Sequence, residues 1–245
     1  PMAIPAIMAP GFIAPPPPKE VSFASGSTGG AYAQTALEYQ AFFAEEDVTL
    51  NVVNTTGSGD NLDLLRTGNV QAAIVQGGAT LPEDENELQS LGTVFYEPLW
   101  VFFRDGADVM NIDDLDLRNF SNMRIAAGSE TSGTRLLADR MLAENEVDAT
   151  LVPLSGEAGA QALLAGEVDV LMAVSGPSAP FVSQLLADPD IAVLSFPRAL
   201  AYERRTPYLK RVIFPEGGLD LADNLPSDPI ELIAPVAEII VREDL

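Results

Sequence analysis

Short runs rich in β-branched residues recur along the body of the chain, separated by stretches with helical spacing and by glycine-rich turns. Residues 21–25 predict a strand that ends in Gly26-Ser27-Thr28-Gly29-Gly30. A helix is expected over 31–44, a second strand over 48–54, and a loop at 56–61 leading into a short helix over 62–67. Gly68 stops that helix, and the apolar run 70–75 suits a strand covered on both faces. The same order returns about a hundred residues later. Residues 123–127 predict a strand, 128–134 its loop, 135–144 a helix, and 149–154 the next strand. Ser155 opens a helix that ends near Ala165, Gly166 stops it, and 168–174 close the unit.

Two βαβαβ units follow from this pattern, each building a small, mainly parallel sheet flanked by helices. The hydrophobic run 99–104 is expected to cross from one lobe to the other. A helix over 180–187 and a strand over 191–196 follow, and 230–242 is expected to make the return crossing. The expected architecture is an α/β two-lobed clamshell with two crossing hinge strands. Its first lobe is 21–98 plus about 230–245, its hinge crossing 99–104, its second lobe 105–196, and 197–229 connect back toward the hinge. Ligands in α/β sheets lie beyond the carboxyl ends of the strands, which in a clamshell face a shared cleft.

Composition narrows the chemistry. The 13 basic residues against 36 acidic ones give a net charge of −23, which argues against nucleic acid or anionic lipid as a partner. The absence of Cys and His removes thiolate nucleophiles, the Ser-His-Asp triad and the common metal-ligand sets. A binding protein, with no cofactor, metal or catalytic residue, is therefore expected over an enzyme. Residues 1–18 are uncharged and hold seven prolines, which forbids a continuous helix. They read either as a disordered tail or as the end of a signal or anchor segment with a stiff spacer, and the tail or linker is drawn over 1–20.

Both first loops combine Gly, Ser and Thr with the start of a helix. Backbone N–H groups there have no intrahelical partner, and the helix dipole favours negative charge. Simple helix capping accounts for one such loop. Two at matching positions, with Thr56-Gly57-Ser58 at the end of a middle strand, point to an anion site. Sharper motifs fail. Residues 128–133 have phosphate-loop glycine spacing, but Thr134 and Arg135 replace its Lys and Ser/Thr. Leu62 occupies the third glycine of a dinucleotide fingerprint, and no nucleophile elbow occurs. Asp113, Asp114 and Asp116 lack the calcium-loop spacing and read as solvated acidic surface.

Among single residues, Tyr32 reads either as a lid over a ligand or as first-turn packing, and Asn61 as a ligand contact or a helix cap. Gln76, followed by Gly77 and Gly78, ends a strand on the cleft side. Glu97 reads as an acceptor for a ligand ammonium or as a hinge residue facing water. Arg135 and Trp100 read as an exposed helix arginine and a core residue. Arg204, Arg205, Lys210 and Arg211 form a basic cluster, read as a solvated face or a docking point. A bulky residue at Gly29 is expected to abolish binding.

The run Ala24-Ser25-Gly26-Ser27-Thr28-Gly29-Gly30-Ala31-Tyr32 resembles the opening signature of TAXI proteins, the solute receptors of one class of TRAP transporters. The likeness continues in Thr56-Gly57-Ser58-Gly59-Asp60-Asn61-Leu62, Ala73-Ile74-Val75-Gln76, Tyr96-Glu97-Pro98-Leu99, 128–134 and Gly166-Glu167-Val168-Asp169, and covers 21–245. It implies a type II periplasmic-binding-protein fold and a monomeric, extracytoplasmic receptor. Such a receptor closes on glutamate, 2-oxoglutarate or a related carboxylate and hands it to membrane permease subunits. The implied pocket comprises Ser27, Thr28, Gly29, Tyr32, Gly57, Ser58, Gln76, Ser132, Gly133 and Thr134. Gly26, Asn61, Gly77, Glu97 and Thr131 join them as candidate contacts. Two features depart from the family's pattern: its C-terminal helices do not occur before Leu245, and the start is not a clean signal peptide. Membrane anchoring is therefore expected as an alternative to free diffusion, and a ligand sensor or an enzyme on the same fold are the rival readings.

Overall fold

A computed structural model describes residues 18–104 and 115–243. The Pro-rich stretch up to residue 17, and Asp113 and Asp114, lie outside the described residues. The first unit runs β1 (Glu20–Ala24), α1 (Ala31–Glu45), β2 (Thr49–Val53), α2 (Ser58–Arg66) and β3 (Ala72–Gln76). The second repeats it as β6 (Arg124–Ala126), α3 (Gly133–Glu144), β7 (Thr150–Val152), α4 (Gly156–Leu164) and β8 (Val170–Val174). In each unit the first strand pairs in parallel with both others, giving the spatial orders β2-β1-β3 and β7-β6-β8. The two helix-stop glycines adopt the left-handed conformation, at φ 72° for Gly68 and 73° for Gly166. Glycine reaches that region without a Cβ clash. Their amides bond back to the carbonyls of Leu65 and Leu163, both at 3.0 Å.

Antiparallel strands extend these parallel units, so the sheet is mixed. β4 (Leu88–Tyr96) leads into β5 (Leu99–Arg104); α5 (Pro180–Ala187), β9 (Ile191–Val193), α6 (Ala199–Arg205), β10 (Leu209–Phe214) and β11 (Ile230–Arg242) complete the chain. The result is an α/β clamshell of two lobes with six α-helices among the described residues.

Two boundaries differ from the sequence reading. The run 99–104 does not cross between lobes: β5 pairs with β8 from Leu99 to Phe103 and is a central strand of the second lobe. The first crossing is the short Glu97-Pro98 link between β4 and β5. The return crossing is β11, which belongs to both lobes. Its first half pairs with β10, and Ile233 meets Leu99 of β5. From Val236 onward it lies between β3 and β4 of the first lobe. Pro235, which has no N–H to donate, sits where the strand changes partners. Residues 197–229 are also more than a connection, since they contain α6 and β10.

Alternation along β5 shows how each sheet is covered on both faces. Leu99, Val101 and Phe103 pack with Leu137 and Met141 of α3, while Trp100 and Phe102 face Leu163 of α4 and Val182 of α5. In the first lobe, Ala73 and Val75 of β3 meet Leu62 and Leu65 of α2, and Ile74 meets Ala36 of α1 on the other side. Every residue of β3 is buried, as expected of a strand with helices on both faces.

Candidate functional site

The carboxyl ends of the parallel strands feed helix N-termini that converge between the lobes. Gly30 and Ala31 at the start of α1, Gly57 and Ser58 of α2, Ser132 and Gly133 of α3, and Ser155 before α4 all line one cavity of about 220 Å³. Four helix starts thus present N–H groups that lack intrahelical partners to a common space. Gln76, Glu97, Tyr32, Thr134, Val174 and Ser175 supply the remaining walls, with Gly26, Ser27 and Thr56.

The lobes touch around this space. The Thr56 and Thr131 hydroxyls are 2.7 Å apart, and the Gly59 amide donates to the Thr131 carbonyl at 3.0 Å. Gln76 Nε2 donates to the Gly133 carbonyl at 2.9 Å. Behind the cavity, Arg140 of α3 donates to the Gly78 carbonyl at 2.8 Å and also bonds Tyr208. These contacts describe a closed clamshell. A β-carbon at Gly57 would lie 3.1 Å from Ser132 Cα, so the loops meet more closely than side chains normally allow.

Local bonds fix the lining groups. Ser58 Oγ accepts from the Gln76 amide at 2.9 Å, tying the start of α2 to the end of β3. Thr134 Oγ1 accepts from the Val174 amide at 3.1 Å, making the equivalent tie in the second lobe. Ser132 caps α3 by accepting from the Arg135 amide at 3.2 Å. The Tyr32 hydroxyl faces Ser58 and the Glu97 carboxylate. Burial pushes the Glu97 carboxyl up from 4.5 to about 7, an effect the neighbouring Tyr32 hydroxyl partly offsets. Burial likewise raises the Tyr32 phenol well above its usual value, and the nearby Glu97 charge adds to this.

Ten of the fifteen candidate residues line the cavity: Gly26, Ser27, Tyr32, Gly57, Ser58, Gln76, Glu97, Ser132, Gly133 and Thr134. Five do not. Asn61 is fully buried and binds the structure together: its amide nitrogen donates to the Ile74 carbonyl at 2.7 Å and to the Ser25 carbonyl, while its oxygen accepts from Thr55 at 2.6 Å. Gly77 packs under Val236 and Tyr208 at the crossing. Thr28 faces an adjoining surface groove, where Asn54 donates to it at 3.1 Å. Gly29 is exposed at φ 82°, and a β-carbon there would meet nothing within 4 Å, so a side chain at this position strains the backbone without entering the cavity. Thr131 serves as an interlobe contact.

The lining residues absent from the candidate set are Gly30, Ala31, Thr56, Ser155, Val174 and Ser175. The duplication held the signal for Ser155, since 155–156 stand in the second unit where 57–58 stand in the first. Arg135 bonds Asp139 and Trp100 is core, its indole donating to the Ser175 carbonyl at 3.0 Å. In the basic cluster, Lys210 and Arg211 pair with Glu203 and Glu231. Asp116 caps a 3-10 turn and holds Arg118 and Arg198. Among the described residues no metal-binding cluster occurs, and no helix is long and apolar enough to cross a membrane.

Solved structures share this architecture at low sequence identity. A Bordetella bronchiseptica protein aligns with 93% of the chain at a TM-score of 0.61 and 14% identity, and the chain spans 65% of that protein's length. The effector binding domain of QuiR, solved in complex with shikimate, aligns with 92% of the chain and 88% of its own, at a TM-score of 0.56 and 13% identity. The periplasmic VFT2 domain of Bordetella pertussis BvgS aligns with 93% of the chain and 82% of its own, at 0.52 and 10%. No curated protein matches the chain. These likenesses give the fold, a type II periplasmic-binding-protein-like domain. Residues 23–245 carry the signature of the NMT1-like family, and the chain belongs to that family.

Proposed function

We propose that the chain is an extracytoplasmic solute receptor that captures a small organic carboxylate in the interlobe cavity and delivers it to a TRAP-type membrane transporter. The observation that carries this reading is the convergence of four helix N-termini on one interlobe cavity. Amides and hydroxyls oriented at hydrogen-bonding range dominate over the distant acidic surface, whose field is screened within ~10 Å. The cavity, at about 220 Å³, is below the ~300 Å³ of drug-sized sites, which suits a metabolite. Capture proceeds by closure of the lobes about the Glu97-Pro98 and Pro235 crossings, with no bond made or broken. Closure then changes the face offered to permease subunits. The resemblance of the signature loops to TAXI receptors supports delivery.

A sensing role is the second reading, favoured by the fold shared with the QuiR effector binding domain. Transport of the bound solute by a reconstituted permease that requires this chain separates delivery from sensing.

Thermal-shift measurements across small carboxylates and their uncharged amides test the capture step. At a hundredfold excess over Kd, ligand adds ~2.7 kcal/mol of stability, which raises Tm by roughly 5–10 °C for a domain this size. A carboxylate that raises Tm while its amide does not is the expected result. Equal shifts for both, or none across the panel, would remove the anion site.

A further inference from the structure

The chain holds 36 acidic residues against 13 basic ones, so a cation seldom lacks an acid to pair with. Arg66, Arg124, Arg135 and Arg211 pair with carboxylates, and Arg104 and Arg140 bond backbone carbonyls. Arg204 and Arg205 do neither. Both are exposed in the last turn of α6, and neither guanidinium has a partner among the described residues. Helical spacing gathers further charge beside them. Arg198, Ala201, Tyr202 and Arg205, at i, i+3, i+4 and i+7, line a cavity of about 260 Å³ with Glu144 and Asn145 at the end of α3. Asn145 Oδ1 accepts from Arg198 at 3.1 Å and from the Tyr202 hydroxyl at 3.0 Å, which fixes this wall. The buried Asp116 carboxylate is shared by Arg198 and Arg118. Four arginines thus gather around two carboxylates, Asp116 and Glu144, and leave a net positive patch on an acidic protein.

We propose that this face of α6, independently of the solute in the cleft, docks an acidic segment of a partner protein. Complementary charge sets the chemistry and the orientation of such a partner. The two unpaired guanidiniums have their planar donor forks available for carboxylates. Shape favours a narrow segment over an anionic membrane. A flat bilayer would press its charge against the acidic surface around the patch, whereas a single strand of chain reaches the arginines within the ~10 Å over which charges are felt. The patch also adjoins the junction of the lobes. Thr206 lines the same cavity, and Tyr208, two residues on, bonds Arg140 and packs on Gly77 and Gly78 of the first lobe.

Amide chemical shifts of the isotope-labelled protein, titrated with an octaglutamate peptide acetylated and amidated at its ends, test the docking surface. Blocking the ends removes the terminal carboxylate that the interlobe cavity would accept. Shifts are expected at Asn145 and residues 198–206, with an affinity that falls steeply between about 50 and 200 mM salt. Octaglutamine, of the same length, leaves those amides unmoved. Arg205→Glu weakens octaglutamate binding at least ~10-fold, whereas Lys19→Glu, the same change of charge at an exposed position of the first lobe, alters it less than ~2-fold. The comparison of the two peptides uses the unaltered protein and stands even if a variant fails to fold. No shifts, shifts confined to the cleft loops or spread over the surface, or an equal response to octaglutamine would overturn the docking surface. So would an Arg205-dependent attachment to phosphatidylglycerol vesicles, or an Arg205-dependent dimer in sedimentation velocity, in a protein that ignores octaglutamate. Those results would assign the patch to a membrane or to a second copy of the chain.

Discussion

Gly59 shows most plainly what one side chain decides here. It lies in the first turn of α2, and a β-carbon on it would sit 2.9 Å from the Thr131 carbonyl across the lobe boundary. An alanine suits the helix itself, so Gly59→Ala leaves the separate lobes folded and strikes closure. Melting temperature without ligand is expected to hold within a few degrees while affinity in calorimetry falls at least ~10-fold, the scale of an overpacking cost near 1–3 kcal/mol. Glu97 has a stability consequence as well. Its folded value of about 7 exceeds the ordinary 4.5, so the folded protein holds the proton more firmly than the unfolded chain. Its contribution is therefore greatest below about pH 4.5 and is lost as pH rises through about 7. Urea titrations of wild type and Glu97→Gln across that window show the difference, and parallel profiles would contradict it. The glycine-rich turns are legible from the sequence because Gly, Ser and Thr cluster at strand–helix junctions and do so at matching positions in both units. The role of Asn61 was not, since a buried asparagine joining two strand ends and a ligand-facing one look alike until the backbone carbonyls are placed.

At the scale of elements, legibility followed burial. β5, α5 and β11 carry strong apolar runs, and their expected bounds match the structure residue for residue. β4 leaves no strand signature in the sequence because it lies along the first lobe with most residues exposed, carries Gly92 at its centre and shifts register against β11. β10 reads as basic surface in the sequence because Lys210 and Arg211 sit within it, their ends reaching Glu203 and Glu231. Polar bonds join elements where apolar packing is thin. Arg66 at the end of α2 grips Asp84 through two 2.8 Å bonds, and Asp84 also accepts from the Leu81 amide at 2.7 Å. The Arg66 guanidinium holds the Asp84 carboxyl below its usual value. That stabilisation is present above the unfolded aspartate value near ~4 and fades as pH falls below it. Asp84→Asn is expected to cost about 1–3 kcal/mol in urea denaturation at neutral pH, and the difference from wild type closes in acid.

For the whole molecule, duplication and crossing together make the site. Two units with the same strand order place matching helix starts on either side of one gap, and β11 passes from one sheet to the other at Pro235. The sequence repeat announced the two lobes. It did not reveal that the hinge is as short as Glu97-Pro98, because an apolar strand in one sheet reads like one shared by two. Arg140, bonded to Gly78 and Tyr208 away from the cavity, adds an interlobe tie, and Arg140→Ala is expected to weaken ligand binding several-fold by favouring the open form, without touching the ligand.

The chain contains no cysteine, so a pair introduced at the exposed positions Asn69 and Ala158 provides unique sites for spin labels on the two lobes. Pulsed dipolar spectroscopy across those labels, with and without a saturating small carboxylate, measures closure directly. Collapse of the distance distribution onto the single separation of the closed lobes is the predicted result. A distribution unchanged when calorimetry shows the site filled would contradict capture between the lobes.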